Sequence, residues 1–332
     1  MDRVFEKSPH IQFASSIKPE EIEQFDTQEQ TNSGEWEKGR RLTSAEQDVV
    51  AKYQTVCRIE FEKMGLKPKD IRIGSSEQIR IVELSENEGI TPGGRSSPLG
   101  NKMTFYVDSG KTLADYSRER IAEIYCHETG HFSTKLVIGR KPWSSFNGEK
   151  QLRRLAFGFS QDMLFRDGNK GPYEEALASL FGYLCLDAIY PGITVGTPYQ
   201  ASVPFMISLV ENYSKRMKIP VIEGLREFIR AKTVRDFGFQ ATLTKLYGNR
   251  FVKSLNNLEW DQFSDSPHIY GGIDFRREAL EVANKGRFGR EYRYLQDEID
   301  SGQVITMKGL SIFIKSERPP VKKNLMQRLF RT

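Results

Sequence analysis

The sequence predicts an α+β protein, with a small mixed sheet and one long helix in an N-terminal lobe and a mainly helical C-terminal lobe. Three observations predict it. Alternating or β-branched runs at residues 71–73, 78–84 and 102–107 read as strands. The segment after them, from about 112 to 136, carries Ile121, Ile124, Tyr125, Phe132 and Leu136 on one helical stripe. Farther on, apolar residues recur mostly at helical spacing between Pro, Gly and Asn punctuation.

Taken in order, residues 1–40 are polar, with a linker-like stretch from Thr27 to Gly34, and read as an extended, partly disordered extension. Ser44 and Gln47 form a capping-box pattern for a helix to about Met64, with Val49, Val50, Tyr53, Val56, Cys57 and Phe61 on its apolar side. Gly65-Leu66-Lys67-Pro68 closes it. The strands at 71–107 enclose a Gly/Pro/Ser-rich run at 88–100 that reads as a flexible connection. Thr112 and Asp115 then offer a capping box for the next helix. An N-terminal lobe at 41–140 results.

A helical lobe is expected over 141–300. Residues 139–147, with Arg140, Lys141, Trp143 and Phe146, read as a surface loop. Leu152, Leu155, Ala156, Phe159 and Met163 follow at helical spacing. Pro172 begins a strongly apolar helix that Pro191-Gly192 ends, and segments 201–217, 221–234, 240–257 and 275–300 read as further helices. Residues 301–332 read as a β-hairpin turning at Lys308-Gly309, then a basic tail with Lys322, Lys323, Arg328 and Arg331. Leu325, Met326, Leu329 and Phe330 give that tail an amphipathic pattern suited to docking an acidic partner.

Chemistry concentrates in His127-Glu128-Thr129-Gly130-His131, an H-E-x-x-H inside the predicted helix of 112–136. Residues four apart on a helix lie about 40° apart around its axis, so both histidines share a face and can bind one ion. Two neutral imidazoles suit zinc, and Glu128 at the flank of that face is placed to act as a general base toward an attacking water. Gly130 costs about 1 kcal/mol in a helix relative to Ala. Its missing side chain therefore points to another element approaching closely. Only two other histidines exist in the chain, His10 and His268, and neither continues the motif. A catalytic zinc site usually takes three protein ligands. Glu174 and Glu175, on the first turn of the apolar helix at 172, are the candidates for the third. One of them is expected to face water and favour the helix N-terminus.

His127-Glu128-x-x-His131, followed by Glu175-Ala176-Leu177-Ala178 in a second helix, resembles the gluzincin metallopeptidases. The resemblance implies a zincin-like fold, a Zn2+ cofactor held by His127, His131 and Glu175, and Ala178 as the small residue one turn on. It favours Glu175 over Glu174. A looser resemblance links the segment to tyrosine carboxypeptidase-like proteins carrying Q-E-G-L-A. The gluzincin resemblance also implies an oxyanion donor downstream, for which His268 and Tyr270 in Ser266-Pro267-His268-Ile269-Tyr270-Gly271-Gly272 are the candidates, and an edge strand that pairs with extended substrate.

These features imply a zinc-dependent metallopeptidase acting on a peptide or protein substrate. Two other readings stand beside it, a zinc hydrolase of another amide or ester and a catalytically silent zinc-binding interaction protein. With 49 basic against 44 acidic residues the net charge is only +5, which gives no specific nucleic-acid signature. No apolar run reaches the ~20 residues of a membrane span. The first residues, Met1 to Lys7, lack the apolar core of a signal peptide. Cys57, Cys126 and Cys185, three and widely spaced, suggest reduced thiols and a cytoplasmic setting, with Cys126 as a packing residue.

Overall fold

The computed structural model describes residues 11–13, 36, 38–84, 93–97, 101–142, 150–158, 160–161, 172–196, 202–256, 273–286, 288–300, 304–307 and 310–313. They form a mixed α+β structure in which helix predominates. In chain order the elements are β1 (Ile11–Phe13), α1 (Ser44–Lys63), β2 (Ile79–Leu84), β3 (Gly93–Ser97), β4 (Lys102–Asp108), α2 (Arg118–Phe132), β5 (Leu136–Pro142), β6 (Lys150–Phe157) and β7 (Ser160–Gln161). Then come α3 (Pro172–Ile189), β8 (Thr194–Gly196), α4 (Ser202–Met217), α5 (Val221–Val234), α6 (Phe237–Tyr247) and α7 (Asn249–Asn256). The last are α8 (Ile273–Lys285), α9 (Gly289–Asp300), β9 (Val304–Met307) and β10 (Leu310–Phe313).

Helix α1 starts one residue earlier than its sequence suggests. Thr43, not Ser44, caps it, in a reciprocal capping box with Glu46. Arg40 decides between the two, since it donates two hydrogen bonds of 2.8 Å to the Glu46 carboxylate. Burial alone raises a carboxyl pKa, but the Arg40 guanidinium and the Thr43 amide outweigh it and hold Glu46 below the ordinary carboxylate range. A depressed group stabilises the fold above its unfolded pKa and loses that contribution as pH falls through the folded value. Glu46→Gln is therefore expected to lower the urea midpoint at about pH 7 and to shrink the gap between midpoints at about pH 7 and about pH 3. An unchanged gap would assign the acid sensitivity elsewhere.

Strands β2, β3 and β4 make a sheet in the order β2-β4-β3. β4 lies inside it, parallel to β2 with Ile79 opposite Met103, and antiparallel to β3 with Gly93 opposite Tyr106. The stretch expected as a flexible connection at 88–100 thus supplies an edge strand. Its Gly-Gly-Arg-Ser-Ser sequence has poor strand propensity, and the reason for glycine is tertiary. A Cβ on Gly94 would lie 2.6 Å from both Ile124 Cγ2 and Glu128 Cγ, so only glycine lets this strand rest on α2. Residues 71–73 are extended but belong to no strand. Side chains hold that stretch instead of a ladder. Gln54 Nε2 and Tyr125 Oη donate to the Gly74 carbonyl at 2.8 and 3.0 Å, and Ser133 Oγ donates to the Arg72 carbonyl.

Two expected starts also separate. The Thr112–Asp115 capping box exists, but it closes a single 3-10 turn at Leu113–Asp115. Tyr116 then adopts an extended backbone, and Ser117 caps α2 by accepting from the Arg120 amide at 3.2 Å.

The largest departure lies in the expected helical lobe at 141–300. Residues 136–142 and 150–157 are strands β5 and β6, antiparallel to one another, in a sheet ordered β1-β5-β6-β7. The i, i+3, i+4 spacing of Leu152, Leu155 and Ala156 suits a helix, yet backbone pairing with β5, with Leu152 opposite Arg140 and Ala156 opposite Val137, overrides it. β1, inside the expected N-terminal extension, pairs in parallel with β5. Segment 240–257 divides into α6 and α7 at Gly248, whose φ of +89° no helix admits. Segment 275–300 divides into α8 and α9 around Gly286. The predicted hairpin is present, with Leu310 opposite Met307 and β10 also parallel to β8. The basic tail lies outside the described residues.

The core is continuous from α1 to α9. α3 runs through its middle and is buried from Tyr173 to Leu186 apart from Glu175, which explains why it is apolar on every face. Phe61 of α1 stacks on Phe181 of α3 at 4.3 Å. Tyr213, Phe228 and Phe239 cluster at 4.8–5.5 Å between α4, α5 and α6. No helix among the described residues is long and apolar enough to cross a membrane.

Candidate metal centre

The site forms where α2 crosses α3. Close approach of the two helices is written into small residues on both. A Cβ on Gly130 would lie 3.2 Å from Ala178 Cα, and one on Gly182 would lie 3.2 Å from the His127 backbone nitrogen. Gly130 therefore serves the role its sequence position suggested, and Ala178 is its partner. At this spacing the polar first turn of α3 faces the H-E-x-x-H face of α2.

His127 and His131 rings lie 4.8 Å apart, edge to face at 81°. Glu175 Oε2 sits 3.2 Å from His127 Nε2 and 3.0 Å from His131 Nε2. All three donors fall within 4.8 Å of one another, in a group that can hold a metal ion. Donors at zinc's usual bond length of about 2.0–2.1 Å, arranged tetrahedrally, stand about 3.3 Å apart. The donor chemistry, two imidazole nitrogens and one carboxylate oxygen, and the two short separations both fit that demand. Glu128 Oε1 lies 3.9 Å from His127 Nε2, so the carboxylate adjoins the donors without being one of the three. β3 covers Glu128 at the Gly94 contact.

Ser179 was missed as a functional residue, being only one of the few polar positions in an apolar helix. Its Oγ lies 3.2 Å from His127 Nδ1. Position 179 follows Glu175 by four residues and shares its face. That spacing is the signal that could have found it. A partner on Nδ1 fixes the ring and directs Nε2 toward the other donors.

Glu174 does not face water, contrary to expectation. It is 0% exposed and pairs at 3.3 Å with Lys232 of α5, itself nearly buried. The adjacent carboxylates have thus separated into two tasks, because successive helical residues point about 100° apart. His268 and Tyr270, the expected oxyanion donors, and His10 lie outside the described residues.

Cys126 packs as expected. Its Sγ is 3.6 Å from Cys57 Sγ, and Cys185 completes a fully buried thiol cluster of α1, α2 and α3. All three are free cysteines. Burial pushes Cys126 and Cys185 well above the ordinary thiol range, which keeps them protonated. Burial likewise raises Tyr173, next to Glu174 on α3, far above the usual phenol value, so it titrates nowhere near neutrality.

Compared with known proteins, the chain matches no family model, no curated protein and no solved structure.

Proposed function

We propose that this protein is a zinc-dependent metallopeptidase of the gluzincin kind. The observation that carries the reading is the convergence of His127 Nε2, His131 Nε2 and Glu175 Oε2 beside Glu128. A zinc ion held there supplies Lewis acidity toward a carbonyl and makes water more acidic. Glu128, pressed beneath β3, accepts the proton of the attacking water and passes it to the leaving amine. Ser179 accepts from Nδ1–H of His127 and holds that ring in the tautomer that leaves Nε2 free to bind. His268 and Tyr270 are the proposed oxyanion donors.

A peptide is favoured over another amide or ester by β3. Among the described residues it pairs on one side only, with β4, and it lies directly over Glu128. An extended chain added antiparallel to such an edge receives main-chain hydrogen bonds at any sequence. The three buried free thiols suit the reducing setting of a cytoplasm.

Elemental analysis of the purified protein, with digestion of a peptide library by zinc-loaded and chelator-stripped samples, tests the proposal. About one zinc per chain and cleavage that chelation removes and zinc restores are expected. One bound zinc without cleavage of any peptide would discard the peptidase reading and leave the metal site standing.

A further inference from the structure

We infer that Lys232 is a positioning residue for the metal centre, acting through Glu174 to fix the rotation of Glu175; this rests on the zinc reading above. Lys232 sits two residues before the end of α5 and far from the ligands in sequence. Its Nζ lies 3.3 Å from Glu174 Oε2 and donates to the Glu174 backbone carbonyl at 3.3 Å. One ammonium thus holds both the side chain and the main chain of the residue immediately before a ligand.

The need for such a clamp follows from where Glu175 stands. It is the fourth residue of α3, on a first turn whose amides lack intrahelical partners and which is prone to fray. A small rotation of that turn would swing Glu175 Oε2 away from both imidazoles. His127 lies mid-helix in α2, and His131, on its last turn, is wholly buried with its carbonyl accepting from the Thr134 amide at 2.9 Å. Glu175, the ligand on a helix's first turn, is the one whose neighbour is clamped.

Stability does not explain the pair. Lys232 and Glu174 side chains are 2% and 0% exposed, and desolvating two charges offsets most of their attraction, so a well-packed apolar pair would serve the fold equally well. What the ion pair adds is direction. The surrounding backbone strengthens that view. Gly158, at φ +56°, leaves room for the Glu174 carboxylate where any Cβ would collide with it. Its amide donates to the Lys135 carbonyl at 2.9 Å, and the Lys135 amide donates to the Thr233 carbonyl at 3.0 Å. Lys135 follows His131 by four residues. The stretch after α2, the end of α5 and the start of α3 are tied into one frame around the donors.

The experiment is chelator competition for zinc, together with the visible absorption of the cobalt(II)-substituted protein, on wild type, Lys232→Arg, Lys232→Met and the neutral pair Glu174→Gln/Lys232→Met. Circular dichroism and thermal melts of the metal-free forms run alongside. Arg226→Met is the control, because Arg226 pairs with buried Glu60 at 3.4 Å away from the donors. Lys232→Met is expected to bind zinc about tenfold to a hundredfold more weakly and to shift the cobalt spectrum, with partial recovery in Lys232→Arg. Arg226→Met is expected to lower the melting temperature and leave zinc affinity unchanged. Should Lys232→Met fail to fold, the neutral pair keeps the volume without a lone buried charge and is expected to show the same loss of zinc affinity. Wild-type affinity and spectrum in either folded variant would overturn the inference while the zinc reading stands. A wild type that binds no zinc would remove the zinc reading, and this inference with it.

Discussion

Glu175→Ala is expected to abolish stoichiometric zinc binding, and Glu174→Ala to destabilise the chain, although the two residues are neighbours. Removing Glu175 takes one of three donors from the group at 3.0 and 3.2 Å. With structural zinc sites contributing about 10–16 kcal/mol in total, one donor's share corresponds to a loss of affinity of about a thousandfold. The metal-free fold is expected to melt at the wild-type temperature, because Glu175 is partly exposed and an alanine there suits the helix. Removing Glu174 leaves Lys232 buried without its carboxylate, and breaking a buried pair costs about 3–5 kcal/mol. Metal-free Glu174→Ala should then melt about 4–7 °C lower. Zinc titration and thermal melts of both variants check this. If zinc were lost equally with either glutamate, the division of labour assigned to the two would be wrong.

The second large effect belongs to Glu128. Glu128→Gln keeps the shape of the side chain beneath Gly94 and leaves all three donors in place. Zinc content should remain at the wild-type level. Peptide hydrolysis should fall about a thousandfold in kcat, the usual range for a lost general base. An amide cannot accept the proton that attack releases, so recovery at high pH is not expected beyond the background rate. Turnover equal to wild type with zinc in place would remove Glu128 from the chemistry.

The two histidines and the separation of Glu175 from Glu174 show how far the sequence could be read. His127 and His131 share a face because helical periodicity is local, and nothing beyond α2 is needed to see it. The glutamate at the site was narrowed to two by its place on an apolar helix. Choosing between them depends on which way α3 is rotated, and that is decided by its packing against other helices of the core. Ser179 is similar: its meaning arises only when α3 packs on α2. The strand β3 was illegible for a related reason, since Gly-Gly-Arg-Ser-Ser has no strand propensity and owes its conformation to pairing with β4 and contact with Glu128. β6 misled in the opposite direction, because its apolar residues fall at a helical spacing while its backbone partner, β5, determines the outcome. Local signals were readable; of what distant partners decide, the close approach at Gly130 was readable and the pairing of β3 and β6 was not.

The contact of Gly130 with Ala178 has a consequence for which ions the centre accepts. The spacing of the two helices is close at Gly130 and at Gly182 alike, whatever the donors hold. A larger cation would need its ligands to spread, and spreading them means moving apart two helices so close that a Cβ on Gly130 would lie 3.2 Å from Ala178 Cα, within a close-packed interior. The glycine therefore acts as a gauge for ionic radius, placed in the scaffold rather than in the coordination sphere. If zinc binds as proposed, ions the size of zinc or cobalt(II) are expected to fit, and calcium, whose oxygen ligands stand at about 2.3–2.6 Å, is expected to be refused on size as well as on donor chemistry.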